Sequence, residues 1–192
     1  ADLTTLSSIN DIFVYDTTKD SDGGQWRNDA SAQATSWYQE TIDNIGANCV
    51  VGTDDRCGQR AFPQKAVIVG TGGGVGADIY IFDAKDNTMW MRFETGAGGL
   101  DMYRNGALTS IFALNGTIYY GDTSSGIPTI NFIEDNGMTL WNTDTGRAPY
   151  AGTISQRNDA RTFNSGEADT TLSLVQNAGN GVHAAVIDGK TF

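Results

Sequence analysis

LTSIFALNGTIYYGDTSSGIPTINFIEDNGMTLW, residues Leu108–Trp141, reads as four β-strands separated by turns. LTSIFALNG is an apolar strand that ends at Asn115-Gly116. A tight two-residue hairpin turn needs positive φ at both central residues, and Asn-Gly supplies that at least steric cost. TIYYGDTSSG is the returning strand, closed by Gly and Ser. IPTINFIEDNG follows, with a second Asn-Gly turn expected at Asn136-Gly137, and MTLWN completes an antiparallel meander. Four-stranded meanders arranged around an axis are the blades of a β-propeller.

The same pattern of apolar strand, acidic turn and Trp-bearing strand occurs elsewhere. It is found in DIFVYDTTKDSDGGQW (Asp11–Trp26), DIYIFDAKDNTMW (Asp78–Trp90) and TINFIEDNGMTLW (Thr129–Trp141). The spacing is irregular, so this is a degenerate repeat. Both faces of these strands are apolar: Ile12 and Val14 oppose Phe13 and Tyr15, and Ile79 and Ile81 oppose Tyr80 and Phe82. A strand half exposed to water would alternate apolar with polar residues. Strands covered on both faces in a chain with few helical patterns imply sheets stacked on sheets. The segments Asp11–Asp16, Asp78–Asp83 and Thr129–Glu134 are therefore expected to be strands at equivalent positions of different sheets.

The expected fold class is all-β, built of antiparallel four-stranded blade-like units as a β-propeller or partial propeller. With 24 Gly against 3 Pro the chain is rich in the residue that makes tight turns. Its 192 residues fit a single β domain, 1–192. The pattern is weakest over Asp29–Gln64, where Trp37–Ile45 has helical spacing and 46–58 reads as an inserted loop. Thr143–Gly179 reads as long loops, with short strands around Tyr150–Gln156 and Thr170–Val175. GVHAAVIDGKTF, at the end of the sequence, opens what reads as another unit. The chain is thus expected to be the N-terminal part of a longer protein or to be completed by neighbouring subunits. ADLTTLSSIN lacks the pattern of a signal peptide, and Ala1 fits a native start after removal of Met.

Net charge is −11, and the 12 basic residues are scattered singly. A nucleic-acid binder would show a basic stripe, so neither nucleic acid nor an anionic membrane is expected as a partner. No apolar run approaches the length of a membrane-spanning helix.

Cys49 and Cys57 flank GTDD, which is turn chemistry, so a hairpin can bring the two sulfurs together as a disulfide; two thiols in a loop are the alternative. Two Cys and the lone His183 do not make a zinc site. In TKDSDGGQWRND, Asp20, Asp22 and Gly23 fall at the third, fifth and sixth positions of a calcium loop, and Asp29 at the twelfth. Thr18 stands where the first acid is wanted, and turn acids bonding their own backbone explain the same residues, so calcium is only a weak candidate. In GTGGGVGA, Gly72, Gly74 and Ala77 match a dinucleotide motif, but a strand follows where a helix is needed. No Ser/His/Asp grouping stands out, and acid pairs such as Asp54/Asp55 arise by chance among 23 acids. No cofactor and no catalytic residue are expected, and the chain is not expected to be an enzyme.

IEDNGMTLW is similar in part to the sialidase-type Asp-box: Asp135, Gly137 and Thr139 match, while Ile133 replaces Ser and Trp141 comes one residue late. Such boxes mark propeller hairpins and are not catalytic. DIFVYDTTKDSDGGQWR, TSWYQE, the Arg60-x-Phe62-Pro63 step with AVIV, TMWMRF, LTSIFALNGTIYYG and GTISQRN together resemble tail-associated virion proteins of bacteriophages, particularly marine ones. The resemblance covers most of the chain in patches and breaks around Gly46–Gly58. It implies an N-terminal propeller-like region of a virion structural protein, located in the particle and assembled in the host cytoplasm. It also implies other virion proteins as partners. The incomplete last unit, whose edges need cover, separately implies a homo-oligomer of closed symmetry. The alternative is a glycan-binding host-attachment module that holds a cell-surface glycan, and a polysaccharide-degrading enzyme is a distant third. Subunit contacts are expected at Leu3, Ile9 and Ile12 near the start and at Val182, Val186 and Phe192 near the end.

Overall fold

The structure, a computed structural model, describes residues 6–31, 61–72, 78–93, 108–123, 127–134, 136–140, 145–149, 181–187 and 190–191. These form two antiparallel meanders and a small ribbon. The first sheet has strands β1 (Ile9–Asp16), β2 (Lys65–Thr71), β3 (Asp78–Asp83) and β4 (Met89–Phe93), paired in sequence order. The second holds β5 (Leu108–Leu114), β6 (Thr117–Asp122), β7 (Ile127–Asn131), β8 (Asn136–Leu140) and β9 (Thr145–Pro149), again in order. β10 (Val186–Ile187) and β11 (Lys190–Thr191) make the ribbon. Among the described residues the one α-helix is α1 (Trp26–Ser31). The chain is all-β in class.

Turn chemistry sets the registers. Asn115 and Gly116 take φ of 49° and 70°, and Leu114 faces Thr117 across the hairpin, as the Asn-Gly signal predicts. The β3–β4 turn is held by its acids: Asp83 accepts from the Lys85 backbone N–H at 2.9 Å and Asp86 from that of Thr88 at 2.9 Å. These side chains stand in for backbone acceptors. After the Gly-rich stretch comes β3, antiparallel to β2, a strand where a dinucleotide site requires a helix.

The second Asn-Gly pair is not a turn. Asn136 and Gly137 lie in β8, opposite Asn131 and Ile130. The chain reverses earlier, where the Asn131 carboxamide oxygen accepts from the backbone of Ile133 at 2.8 Å and Glu134 at 2.9 Å. Thr129–Glu134 is thus strand only to Asn131; Phe132 leaves the ladder and is fully buried. A large aromatic at a turn goes where its apolar surface is covered, and that moves the turn.

Three further expectations are corrected. Asp11–Asp16 and Asp78–Asp83 lie in the same sheet, as parts of β1 and β3 on either side of β2, rather than in different sheets. Trp26 opens α1 rather than sitting in a strand, because the Asp22 carboxylate accepts from its backbone N–H at 2.7 Å. The second meander has a fifth strand, β9, inside the stretch expected to be loops. The expected helix at Trp37–Ile45, the loop 46–58 and the strands near Tyr150–Gln156 and Thr170–Val175 lie outside the described residues.

The main core lies between the two meanders. It gathers Tyr15, Ala66, Ile68, Ile79, Ile81, Trp90, Met91 and Phe93 from the first sheet with Leu108, Ile111, Ala113, Ile118, Tyr120 and Ile130 from the second. Phe62, Trp26 and Phe132 fill its centre, with Phe62 ring centroids 5.3 Å from Trp26 and 4.9 Å from Phe132. The first strands of the meanders lie against each other. Asn10 donates to Leu108 O at 3.1 Å, Asp11 accepts from Ile111 N at 2.7 Å, and the Phe13 and Phe112 rings are 5.1 Å apart. These contacts advance together along both strands, so β1 and β5 run in the same direction. Gly70 of β2 makes room for β5: a Cβ there would come within 2.6 Å of Leu108 Cδ1.

Candidate interaction surface

The site is built from β1 outward. Beyond β1 the chain makes a 3-10 turn, Thr17–Lys19, capped by the Asp16 carboxylate, and reaches Asp20, whose residue is 6% exposed. The Asp20 carboxylate accepts from the Tyr15 hydroxyl at 2.5 Å, the Trp26 indole N–H at 2.8 Å and the Asn115 backbone N–H at 2.9 Å. The Tyr15 hydroxyl in turn accepts from Gly116 N at 2.8 Å. This junction ties β1 and α1 to the β5–β6 turn, with three protein donors on one buried carboxylate. Hydrogen bonds to a charged group are among the stronger ones, and their loss leaves buried donors unmatched.

The Tyr15 phenol is pushed well above its ordinary value near 10.0, chiefly by burial and then by its hydrogen bond to Asp20. A raised folded-state pKa adds stability below the unfolded value, and that stability is lost as pH rises past it toward the folded value. Stability is therefore expected to fall above pH 10, and to fall less steeply in Tyr15→Phe. Urea melts of both proteins at pH 8 and pH 11 check this; parallel losses would contradict it.

β1 has a second face, which bears on function. Ile12 and Val14 lie opposite Val69 and Val67 of β2, which lie opposite Tyr80 and Phe82 of β3; Phe82 lies opposite Met89 of β4. Val69, Tyr80, Phe82 and Met89 form a buried cluster, with Leu6 and Val67 packed against it. Ile12 and Val14 continue that apolar face but are 53% and 58% exposed, and Ile9 is 43% exposed. The face is covered over β2–β4 and open to water along β1. Adjacent apolar side chains on one strand mark contact surfaces more often than scattered ones do.

The expected site residues fall out as follows. Asp20 has both carboxylate oxygens on protein donors, and Asp22 accepts from Gly24 N and Trp26 N. Asp29 is exposed on α1. The three are not gathered, and no cluster of acids, His or Cys that could hold a metal occurs among the described residues. Ile9 and Ile12 are exposed on β1, and Val186 is 38% exposed on β10. Val182 is 5% exposed, so it serves the interior rather than a free surface. Leu3, Phe192, Cys49 and Cys57 lie outside the described residues.

The exposure of Val14 is not legible in the sequence, because its strand reads as buried on both faces. The junction was missed because Tyr15, Asp20 and Asn115 are far apart in sequence; the buried Trp26 is the one local sign that a partner is needed for an indole N–H. Among the described residues Tyr15, Trp26, Tyr80, Trp90 and Tyr120 are buried and Tyr119 is half-buried. Comparison with protein-family models, curated proteins and solved structures finds no match to the chain.

Proposed function

We propose that the chain is a structural component of a virus particle, in a phage tail or appendage, which works through symmetric contacts between its own copies and with other particle proteins. The observation that carries this reading is the apolar face of the first sheet, which runs out to exposed Ile12 and Val14 on β1. Burying such surface contributes roughly 25 cal/mol per Å², and a second protein surface is the ordinary way to cover it. The patchwise resemblance to tail-associated phage proteins points the same way. The two meanders are read as two blades of a partial propeller. In support, their first strands lie side by side in the same direction, as the inner strands of neighbouring blades do. No catalytic constellation enters this reading.

Phage particles purified from a lysate that contains the chain and labelled with an antibody against it test the assignment. Label is expected at the tail or an appendage in electron micrographs. Particles that carry none of the chain, by label and by mass spectrometry, would overturn it.

A further inference from the structure

A cleft of about 580 Å³ opens at one end of the first sheet. Three strand ends meet there: Asp16 and Thr18 at and beyond the end of β1, Gln64 and Lys65 at the start of β2, and Asp83 to Lys85 at and beyond the end of β3, with Arg27 of α1 beside them. This size lies within the range of small-molecule sites, but the lining differs from most of them. Among the described lining residues only Ala84 is apolar, and no ring is present.

The walls are fixed by backbone bonds. Thr17 donates to Gln64 O through its N–H at 3.0 Å and its hydroxyl at 2.9 Å, and Ala84 N donates to Lys65 O at 2.9 Å. Arg27 Nε donates to Phe62 O at 2.5 Å, which anchors the guanidinium. The two acids serve the turns. Asp16 accepts from the Thr18 hydroxyl at 2.7 Å and its N–H at 3.2 Å, and Asp83 accepts from Lys85 N at 2.9 Å. The cations face water more openly: Lys85 is exposed, and the Lys65 side chain is 55% exposed where it meets Asp16 at 3.4 Å. An ion pair that exposed is weak and can be shared with an incoming anion.

We infer that this cleft binds a hydroxyl-rich organic anion, of the class of an acidic sugar such as a uronate. Lys65, Lys85 and Arg27 supply the charge, the Gln64 carboxamide supplies a donor and an acceptor for hydroxyl groups, and the Thr18 hydroxyl, which donates to Asp16, supplies an acceptor. Three basic residues meet two acids, Asp16 and Asp83, in this lining, which leaves a small excess of positive charge in a chain of net charge −11. The backbone of the walls is set before binding, so the ordering cost falls on the exposed Lys65 and Lys85 side chains. The inference is independent of the assembly role proposed above, since it concerns a ligand site and not the β1 face.

Isothermal titration calorimetry of the intact chain at low salt tests it, with an oligouronate, a neutral glucan oligosaccharide of the same length and an oligoglutamate as probes. The oligouronate is expected to bind at least about tenfold more tightly than either of the others. The double variant K65Q/K85Q, which keeps most of both side-chain stems, is expected to weaken oligouronate binding about tenfold or more with an unchanged melting temperature. The single variant K85A, at an exposed position, is expected to weaken it by a smaller factor and guards against misfolding of the double variant. No oligouronate binding at millimolar concentration, equal binding of the neutral glucan, or unchanged binding by both variants would overturn the site. Oligoglutamate binding as tightly as oligouronate would overturn the sugar class.

Discussion

Phe62→Ala is expected to lower the free energy of unfolding by about 3–5 kcal/mol, the usual cost of emptying a core aromatic site. Phe62 is completely buried. Its ring lies 5.7 Å from Tyr15, 5.3 Å from Trp26, 5.0 Å from Trp90 and 4.9 Å from Phe132. Those four belong to β1, α1, β4 and the β7–β8 turn, so one ring joins both meanders and the helix. Rings in edge and tilted contact add to simple burial. Urea unfolding followed by tryptophan fluorescence measures the loss. A change under about 1 kcal/mol, the range of surface substitutions, would mean that Phe62 does not hold this centre. Phe62→Leu, which retains much of the volume, is expected to cost clearly less.

Asp20→Ala is expected to cost about 3 kcal/mol, for a different reason. The substitution removes little apolar surface but strands the Tyr15 hydroxyl, the Trp26 indole N–H and the Asn115 N–H. Each buried donor left without an acceptor costs about 1–3 kcal/mol, and local relaxation recovers part of that. Asp20→Asn keeps the shape but turns one acceptor oxygen into a donor, so it is expected to be nearly as damaging. The same urea melts compare the three proteins. If Asp20→Asn unfolded like the parent, the carboxylate would not be the acceptor at the centre of this junction.

The sequence made the strand class and the hairpins legible where the chemistry is local. Asn115-Gly116 marks its own turn because only its backbone matters there. Asn136-Gly137 has the same letters and lies in a strand, because Phe132 competes for the core and Asn131 caps an earlier turn. Local turn propensity yielded to packing, as it generally does when the two conflict. Two-sided apolarity identified β1 and β3 as sheet strands, but it does not say which face is covered. β3 is buried on both faces, whereas Ile12 and Val14 of β1 face water. The candidate contact surface was half legible for that reason: Ile9 and Ile12 stood out as residues near the start, and Val14 did not. The cleft was illegible, because Arg27, Lys65 and Lys85 come from three elements that only the sheet registers bring together.

The central claim is that the open apolar face of β1 is a contact surface. Sedimentation velocity of the intact chain at micromolar concentration, beside Ile12→Asp and Val14→Asp, tests it most directly. Both positions are more than half exposed, so a carboxylate there costs the folded monomer little but opposes burial against a second surface. The expected result is a self-associating parent protein, with both variants folded, melting near the parent temperature and sedimenting as monomers. A parent protein that sediments as a folded monomer identical to its variants, and binds no apolar dye, would contradict the claim.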